Sequence, residues 1–249
     1  MIGETFSFDL DRLFIAAEEI RARYEVAQPF PYVVIDDFLT PAALEAAIAA
    51  FPPASASIWD LHDWTIQGHR VSLKKGCNEE LEVPVPIRRI MRELDCSLFL
   101  RFLSKATGVP LLIPDPTWLG NNLILIEPGG FLNAHADFSN HFQNGLDHRL
   151  NLLLYLNPDW QDAWGGQLEL WRPGASGPET SIVPIANRCV IFGTTKTTFH
   201  GHPSPLRCPL GRSRNCVSVY YYTNGEAGQL ADKFRNTAWV RTQAGEVPR

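Results

Sequence analysis

Two textures divide the chain near residue 118. Before it, apolar residues recur at helical spacing or show no period. After it, they come as short runs and alternations cut by Gly, Pro and Asn. Leu10, Leu13, Ala17, Ile20 and Tyr24 recur every three or four residues, which predicts a helix over 9–26. PFPYVVIDDFL (29–39) reads as a short strand. Thr40-Pro41 then opens a second helix, a capping hydroxyl followed by proline at the first helical position. Its stripe is Leu44, Ile48 and Phe51, and Pro52-Pro53 stops it. Residues 53–83 have no period and are expected to form a long loop or lid. One helix is predicted over 86–106, with Ile87, Ile90, Leu94, Leu98 and Phe102 on the side that covers a sheet.

From 119 onward NNLILIEPGG, RLNLLLYLNPD, GGQLELWRPG, NRCVIFG and RNCVSVYYYTNG each join a strand-forming run to a turn signal. Helices first and many short strands later predict a mainly β fold with flanking helices, a sandwich or jelly roll buttressed from its N-terminal side. We expect a single domain over 1–249: residues 1–118 support it, 119–223 form its β core, and 224–249 are a polar, partly mobile tail.

Net charge is −5 and no basic run stands out, so duplex nucleic acid is not expected as a partner. Lys74-Lys75 and Arg88-Arg89 read as solvated pairs. Five scattered cysteines without a Cys-x-x-Cys fit reduced thiols rather than a structural zinc site. The segment MIGETFSFDLDRLF is too acidic for a secretory leader, and no stretch approaches a membrane span, so a cytoplasmic location is expected.

Candidate chemistry concentrates late: five of the seven histidines fall between 135 and 202. His135-Ala136-Asp137 ends a strand after the Pro128-Gly129-Gly130 turn, and residues at i and i+2 share a strand face. A second histidine follows the strand-like VIFGTTKTTF, either His200 or His202; His200, at the end of the apolar approach, is favoured. Two imidazoles and one carboxylate are the set that leaves three adjacent positions of octahedral iron(II) open. His141 and His148 are expected to be solvated or to stand behind the ligands.

Arg214 opens the densest β-forming run, sharing a face with Cys216, Ser218, Tyr220 and Tyr222. With Ser218 it could hold the distal carboxylate of a keto-acid co-substrate, since a guanidinium stays charged and binds a carboxylate through two donors. Arg212 has the same parity but sits in the Gly211 turn. Tyr155, on a face with Arg149, Asn151 and Leu153, either shares that carboxylate or is a core tyrosine. Gly165-Gly166 reads as a hairpin turn. Trp59, Trp64, Arg70 and Phe142 are candidates to touch substrate.

EPGG, HADFSNH, LNLLLYLNPDW, WGGQLELW, NRCVIFGTT, FHGHP and GRSRNCVSVYYY together resemble the catalytic domain of the prolyl 4-hydroxylase-like iron(II)/2-oxoglutarate dioxygenases. PFPYVVIDDFLTPAALEAAIAAFP resembles the N-terminal region of bacterial members. The resemblance implies a double-stranded β-helix (a jelly-roll or cupin-like core), with iron(II) on His135, Asp137 and His200. It implies 2-oxoglutarate on Arg214, with Tyr155 where some members use a tyrosine for the same carboxylate. Ascorbate is a further cofactor it allows. The segment from His200 to Arg214, with Pro203, Pro205 and Pro209, is longer than in the best-known members. The implied reaction takes dioxygen and 2-oxoglutarate, releases succinate and carbon dioxide, and hydroxylates an unactivated C–H. A free or peptide-bound amino acid, proline first, is the expected substrate; a carbohydrate or specialised metabolite, hydroxylated, desaturated or cyclised, is the alternative. Related halogenases lack the carboxylate, so Asp137 favours hydroxylation. A zinc hydrolase and a non-catalytic jelly-roll binding module are the competing classes.

Overall fold

The structure is a computed structural model and describes residues 6–225. It holds helices α1 (Leu10–Val26), α2 (Pro41–Ala50), α3 (Val85–Leu94) and α4 (Ser97–Thr107). The strands are β1 (Tyr32–Ile35), β2 (Asp60–Ile66), β3 (His69–Cys77), β4 (Ile113–Pro114), β5 (Asn122–Ile126), β6 (Phe131–His135), β7 (Asp147–Tyr155), β8 (Leu168–Trp171), β9 (Thr180–Ile182), β10 (Cys189–Gly193), β11 (Phe199–His202) and β12 (Arg214–Thr223). They form one antiparallel sheet in the order β1-β10-β7-β12-β5-β3-β6-β11-β8-β9, with β2 added to β3 and β4 to β12.

Alternation along β7 and β12 separates two environments. Leu150, Leu152, Leu154, Val217, Val219 and Tyr221 face the helices and pack with Leu13, Ile20, Ile90, Phe99 and Phe102. Each such fully buried side chain contributes about 1.5–3 kcal/mol relative to exposure. The opposite parity, Asn151, Leu153, Cys216, Ser218 and Tyr220, lines a hollow together with Leu168 of β8 and His200 of β11. Strands far apart in the sheet order thus face one another, because the sheet curls over. A second core closes the curl, Leu168, Leu170 and Ile182 against Tyr155, Val190, Phe192 and Cys216. This is the jelly-roll-like architecture expected, buttressed by helices on its outer face.

Asp9 caps α1 through Oδ1 on the Arg12 amide at 2.9 Å, and Thr40 caps α2. In α2 the fully buried residue is Ala47, while Leu44, Ile48 and Phe51 are half-buried against the core. The strand foreseen over 29–39 shortens to β1, since Asp37 takes a left-handed conformation (φ 51°).

Two expectations are corrected. Residues 53–83 are not a loop: they carry the β2–β3 hairpin, turning at Gln67-Gly68 with φ of 50° and 81°. β2 is almost wholly exposed, and β3 turns Ser72 and Lys74 inward, so neither shows a hydrophobic period. The helix foreseen over 86–106 breaks at Asp95-Cys96, where Cys96 is extended (ψ 155°). The buried face of the second half is Phe99, Phe102, Leu103 and Ala106, which leaves Leu98 39% exposed.

β3, from before residue 119, lies between β5 and β6. Among the described residues no helix is long and apolar enough to cross a membrane, and all five cysteines are free thiols. The tail foreseen over 224–249 lies, from residue 226, outside the described residues.

Candidate active site

β6 delivers His135 at its last residue, and β11 pairs so that His200 lies directly opposite. The pairing slips by one residue between His200 and His202, placing Gly201 against the Asn133–Ala134 peptide. A Cβ on Gly201 would stand 2.7 Å from the Asn133 carbonyl oxygen, so only glycine permits this close approach. Asp137 follows just beyond the strand.

His135 donates Nδ1–H to the Asn133 carbonyl at 2.9 Å, and His200 does the same to Thr198 at 3.4 Å. Both rings are thereby set in the tautomer that leaves Nε2 a lone pair. Each Nε2 lies 3.5 Å from an oxygen of Asp137, Oδ1 for His135 and Oδ2 for His200. One donor atom from each of the three residues falls within 4.8 Å of the others, the spacing one metal ion would span. Tyr220 donates its hydroxyl to Oδ1 of Asp137 at 3.2 Å, and Asn151 donates its amide to Oδ2 at 2.6 Å. These bonds fix the carboxylate toward the imidazoles.

Electrostatics agree with a metal site. Burial alone would raise the Asp137 carboxyl, but the His200, His135 and His148 rings outweigh it and hold it far below the usual carboxylate range. Burial pushes His200 down to about 4, with Asp137 opposing, so the ring is neutral at physiological pH and ready to ligate.

A cavity runs from His135 and His200 to Arg214, walled by Ile124, Ile126, Leu132, Leu153 and Leu168. Arg214 is buried; its Nε donates to the Gly166 carbonyl at 2.7 Å and its Nη2 to the Tyr155 hydroxyl at 3.2 Å. Ser218 lines the same cavity. Tyr155 is fully buried with its ring 4.9 Å from the guanidinium, so it reaches the cavity through Arg214. Arg212 instead lies over Trp164 at 5.3 Å and donates to the Pro158 carbonyl, away from the hollow.

His202 shares the inward face of β11 and lines the cavity, but the three-residue cluster does not include it. His141 and His148 are buried, 1% and 3% exposed, which rules out the solvated alternative. His148 faces Asn151 Oδ1 through Nε2 at 2.7 Å and stands behind Asp137; His141 contacts Thr117 at 2.9 Å. Gly165-Gly166 is not a hairpin turn: it follows a short 3-10 helix and lays the Gly166 backbone against Arg214. Lys74, read as solvated, lines the cavity, because strand pairing of the unforeseen hairpin turns it inward. Trp59, Trp64, Arg70 and Phe142 do not line the cavity. Trp59 bonds the Pro53 carbonyl, Arg70 pairs with Asp63, and Trp64 and Phe142 are exposed beside His62 and His141. Asn151, Lys74 and Gly166 are the site residues whose roles sequence reasoning missed. Strand parity placed Asn151 on the right face, the one available signal.

Residues 121–222 match the model of the 2OG-Fe(II) oxygenase superfamily. Among curated proteins no sequence matches. Among solved structures, a prolyl hydroxylase from Trichoplax adhaerens, in complex with a hypoxia inducible factor peptide fragment, is similar at a TM-score of 0.61 and 16% identity, over 86% of this chain and 91% of that one. A prolyl 4-hydroxylase from Phytophthora capsici gives 0.56 and 18%, over 94% and 75%. The non-heme alpha ketoglutarate dependent epimerase SnoN from nogalamycin biosynthesis gives 0.57 and 14%, over 84% and 81%. At these identities the structures establish the fold. Residues 121–222 thus match a 2OG-Fe(II) oxygenase domain, which supports an enzyme of the 2-oxoglutarate-dependent dioxygenase kind with iron(II).

Proposed function

We propose that this dioxygenase hydroxylates an unactivated C–H of a free or peptide-bound amino acid, proline first. His135, Asp137 and His200 would hold the iron, and Arg214, supported by Tyr155 and Ser218, would hold the distal carboxylate of 2-oxoglutarate. The observation that carries this reading is one cavity with a three-donor cluster at one end and a buried, oriented guanidinium at the other. Strands from both sides of residue 119 build that cavity, which supports a single catalytic domain.

Bound iron(II), with 2-oxoglutarate and dioxygen, supplies the oxidising power for C–H hydroxylation, releasing succinate and carbon dioxide. The protein's own residues do the rest. Asn151 and Tyr220 keep Asp137 aimed, and the backbone carbonyls of Asn133 and Thr198 keep both imidazoles oriented. Arg214, fixed by Gly166 and Tyr155, orients the co-substrate, so its keto-acid end reaches the ligands. The apolar walls exclude water from the reacting atoms. Asp137 fills the position that a halogenase leaves open, which supports hydroxylation over halogen transfer. Prolyl hydroxylases among the similar folds put proline first, in peptide or free form.

Anaerobic titration of metal-free protein with iron(II) and then 2-oxoglutarate tests the site. A charge-transfer band is expected only when both are present, lost in His200→Ala and shifted to much higher keto-acid concentration in Arg214→Ala. Oxygen is then admitted with free L-proline or prolyl peptides, and succinate and hydroxyproline are read by mass spectrometry. No band from well-folded protein would sink the site. A band with succinate release but unmodified proline would sink the substrate alone.

A further inference from the structure

The cavity holds more donor capacity at its Arg214 end than one guanidinium supplies. Along β3, alternation sends Lys75 outward to Glu127 at 2.7 Å and Lys74 inward. Lys74 makes no hydrogen bond or ion pair among the described residues. It feels the attraction of Asp137 only at longer range, and it shares its surroundings with another cation, Arg214. Asp137 is already engaged by Asn151 and Tyr220. On β11, His202 is 3% exposed and both its ring nitrogens lack a partner among the described residues. Arg214 pairs with Ile126 and His202 with Leu132 across the sheet, and these residues line one hollow together with Lys74 and Cys216.

Buried polar groups are normally satisfied, and two cations lining one cavity repel each other unless an anion joins them. A carboxylate offers about four lone-pair sites, enough for a guanidinium, an ammonium and an imidazole N–H together. Beyond the Ser218 hydroxyl and the Asn151 and Tyr220 groups turned to Asp137, the rest of the wall (Ile124, Ile126, Leu132, Leu153, Leu168) is apolar and offers none.

We propose that Lys74 and His202 complete the co-substrate end of the cavity, so that three side chains from β3, β11 and β12 bind the distal carboxylate of 2-oxoglutarate. The proposal rests on the co-substrate reading above. It makes both residues determinants of selectivity for a keto acid with a second carboxylate. Because neither group has a hydrogen-bond partner among the described residues, their removal weakens binding of the ligand without weakening the fold.

Calorimetric titration of anaerobic iron(II)-loaded protein with 2-oxoglutarate, and with 2-oxopentanoate, which lacks the distal carboxylate, tests this. Lys74→Met and His202→Leu are expected to raise the Kd for 2-oxoglutarate about tenfold or more, as for loss of a hydrogen bond to a charged group. Binding of 2-oxopentanoate should stay unchanged. Melting of the ligand-free variants should occur at or above the wild-type temperature. His202→Gln, which keeps an N–H donor, should retain most of the affinity, and Lys74→Leu gives a second variant should Lys74→Met not fold. A variant that binds 2-oxoglutarate like wild type removes that residue from the site. Parallel losses for both keto acids, or a lowered melting temperature, would assign a general structural role and overturn the proposal. Wild type that binds iron(II) but no 2-oxoglutarate overturns the co-substrate reading itself, and the proposal with it.

Discussion

Asn151 links the ligands to the body of the sheet. Its amide donates to Asp137 and its carbonyl faces His148, whose ring stacks 4.3 Å from Tyr220, and Tyr220 holds the other oxygen of Asp137. Asn151→Leu removes one support and leaves another buried ring short of a partner. Iron(II) affinity should fall about 10–100-fold, read by competition with a colorimetric chelator, while 2-oxoglutarate affinity at saturating metal stays close to wild type. Gly166→Ala should do the reverse. Gly166 sits at φ 74°, and a Cβ there would stand 2.6 Å from Leu206 Cδ2 and 3.0 Å from Arg214 Cδ. The guanidinium must shift, so the Kd for 2-oxoglutarate should rise several-fold at unchanged iron affinity; a normal Kd would show that Arg214 does not depend on this contact. At this scale, histidine, aspartate and arginine were legible because few chemistries need them at that spacing. Asn151 and Lys74 were not, since an amide or a lysine carries no distinctive chemistry until pairing aims it.

Among the elements, β5, β7, β8, β10 and β12 were legible because each buries at least one apolar face. β3 was hidden for the opposite reason: Lys74 faces a polar site rather than a core, and the buried residue on the same parity is the polar Ser72. Breaks between helices are similarly hard to read when both halves are apolar, as at Asp95-Cys96. One turn carries a disproportionate load. Asn187, at φ 66° before β10, accepts the Leu39 amide at 2.6 Å, donates to the Leu39 carbonyl at 3.0 Å, and takes the Phe38 amide on its own carbonyl at 3.1 Å. It ties the segment before α2 to the sheet. Asn187→Ala loses two side-chain bonds and replaces a residue that tolerates the left-handed region with one that tolerates it less well. A loss of about 2–4 kcal/mol is expected from urea unfolding, with iron affinity of the folded protein unchanged. A loss under half a kcal/mol would mean the clamp is idle.

On the scale of the whole molecule, the helix layer meets the curled sheet through a carboxyl with a consequence for pH. Asp95, at the α3–α4 break, accepts from Asn121 at 3.3 Å through Oδ2, while Oδ1 has no partner among the described residues; Asn121 in turn accepts the Tyr220 amide at 3.1 Å. Burial, and the nearby charge of Asp115, push the Asp95 carboxyl up to about 7, against the Asn121 bond. In the unfolded chain it ionises near 3.9. Between about 4 and 7 the folded state therefore keeps a proton that the unfolded state has released, so stability falls as pH rises through that window. One pKa unit is worth about 1.4 kcal/mol, which puts the total on the order of a few kcal/mol. Asp95→Asn removes the titration and retains an acceptor for Asn121. The difference in urea midpoint between variant and wild type should grow in the variant's favour from pH 4 to 7 and level off above it. A difference that does not change with pH would show that Asp95 ionises as in water, and that the helix layer is wetter at this junction than its packing implies.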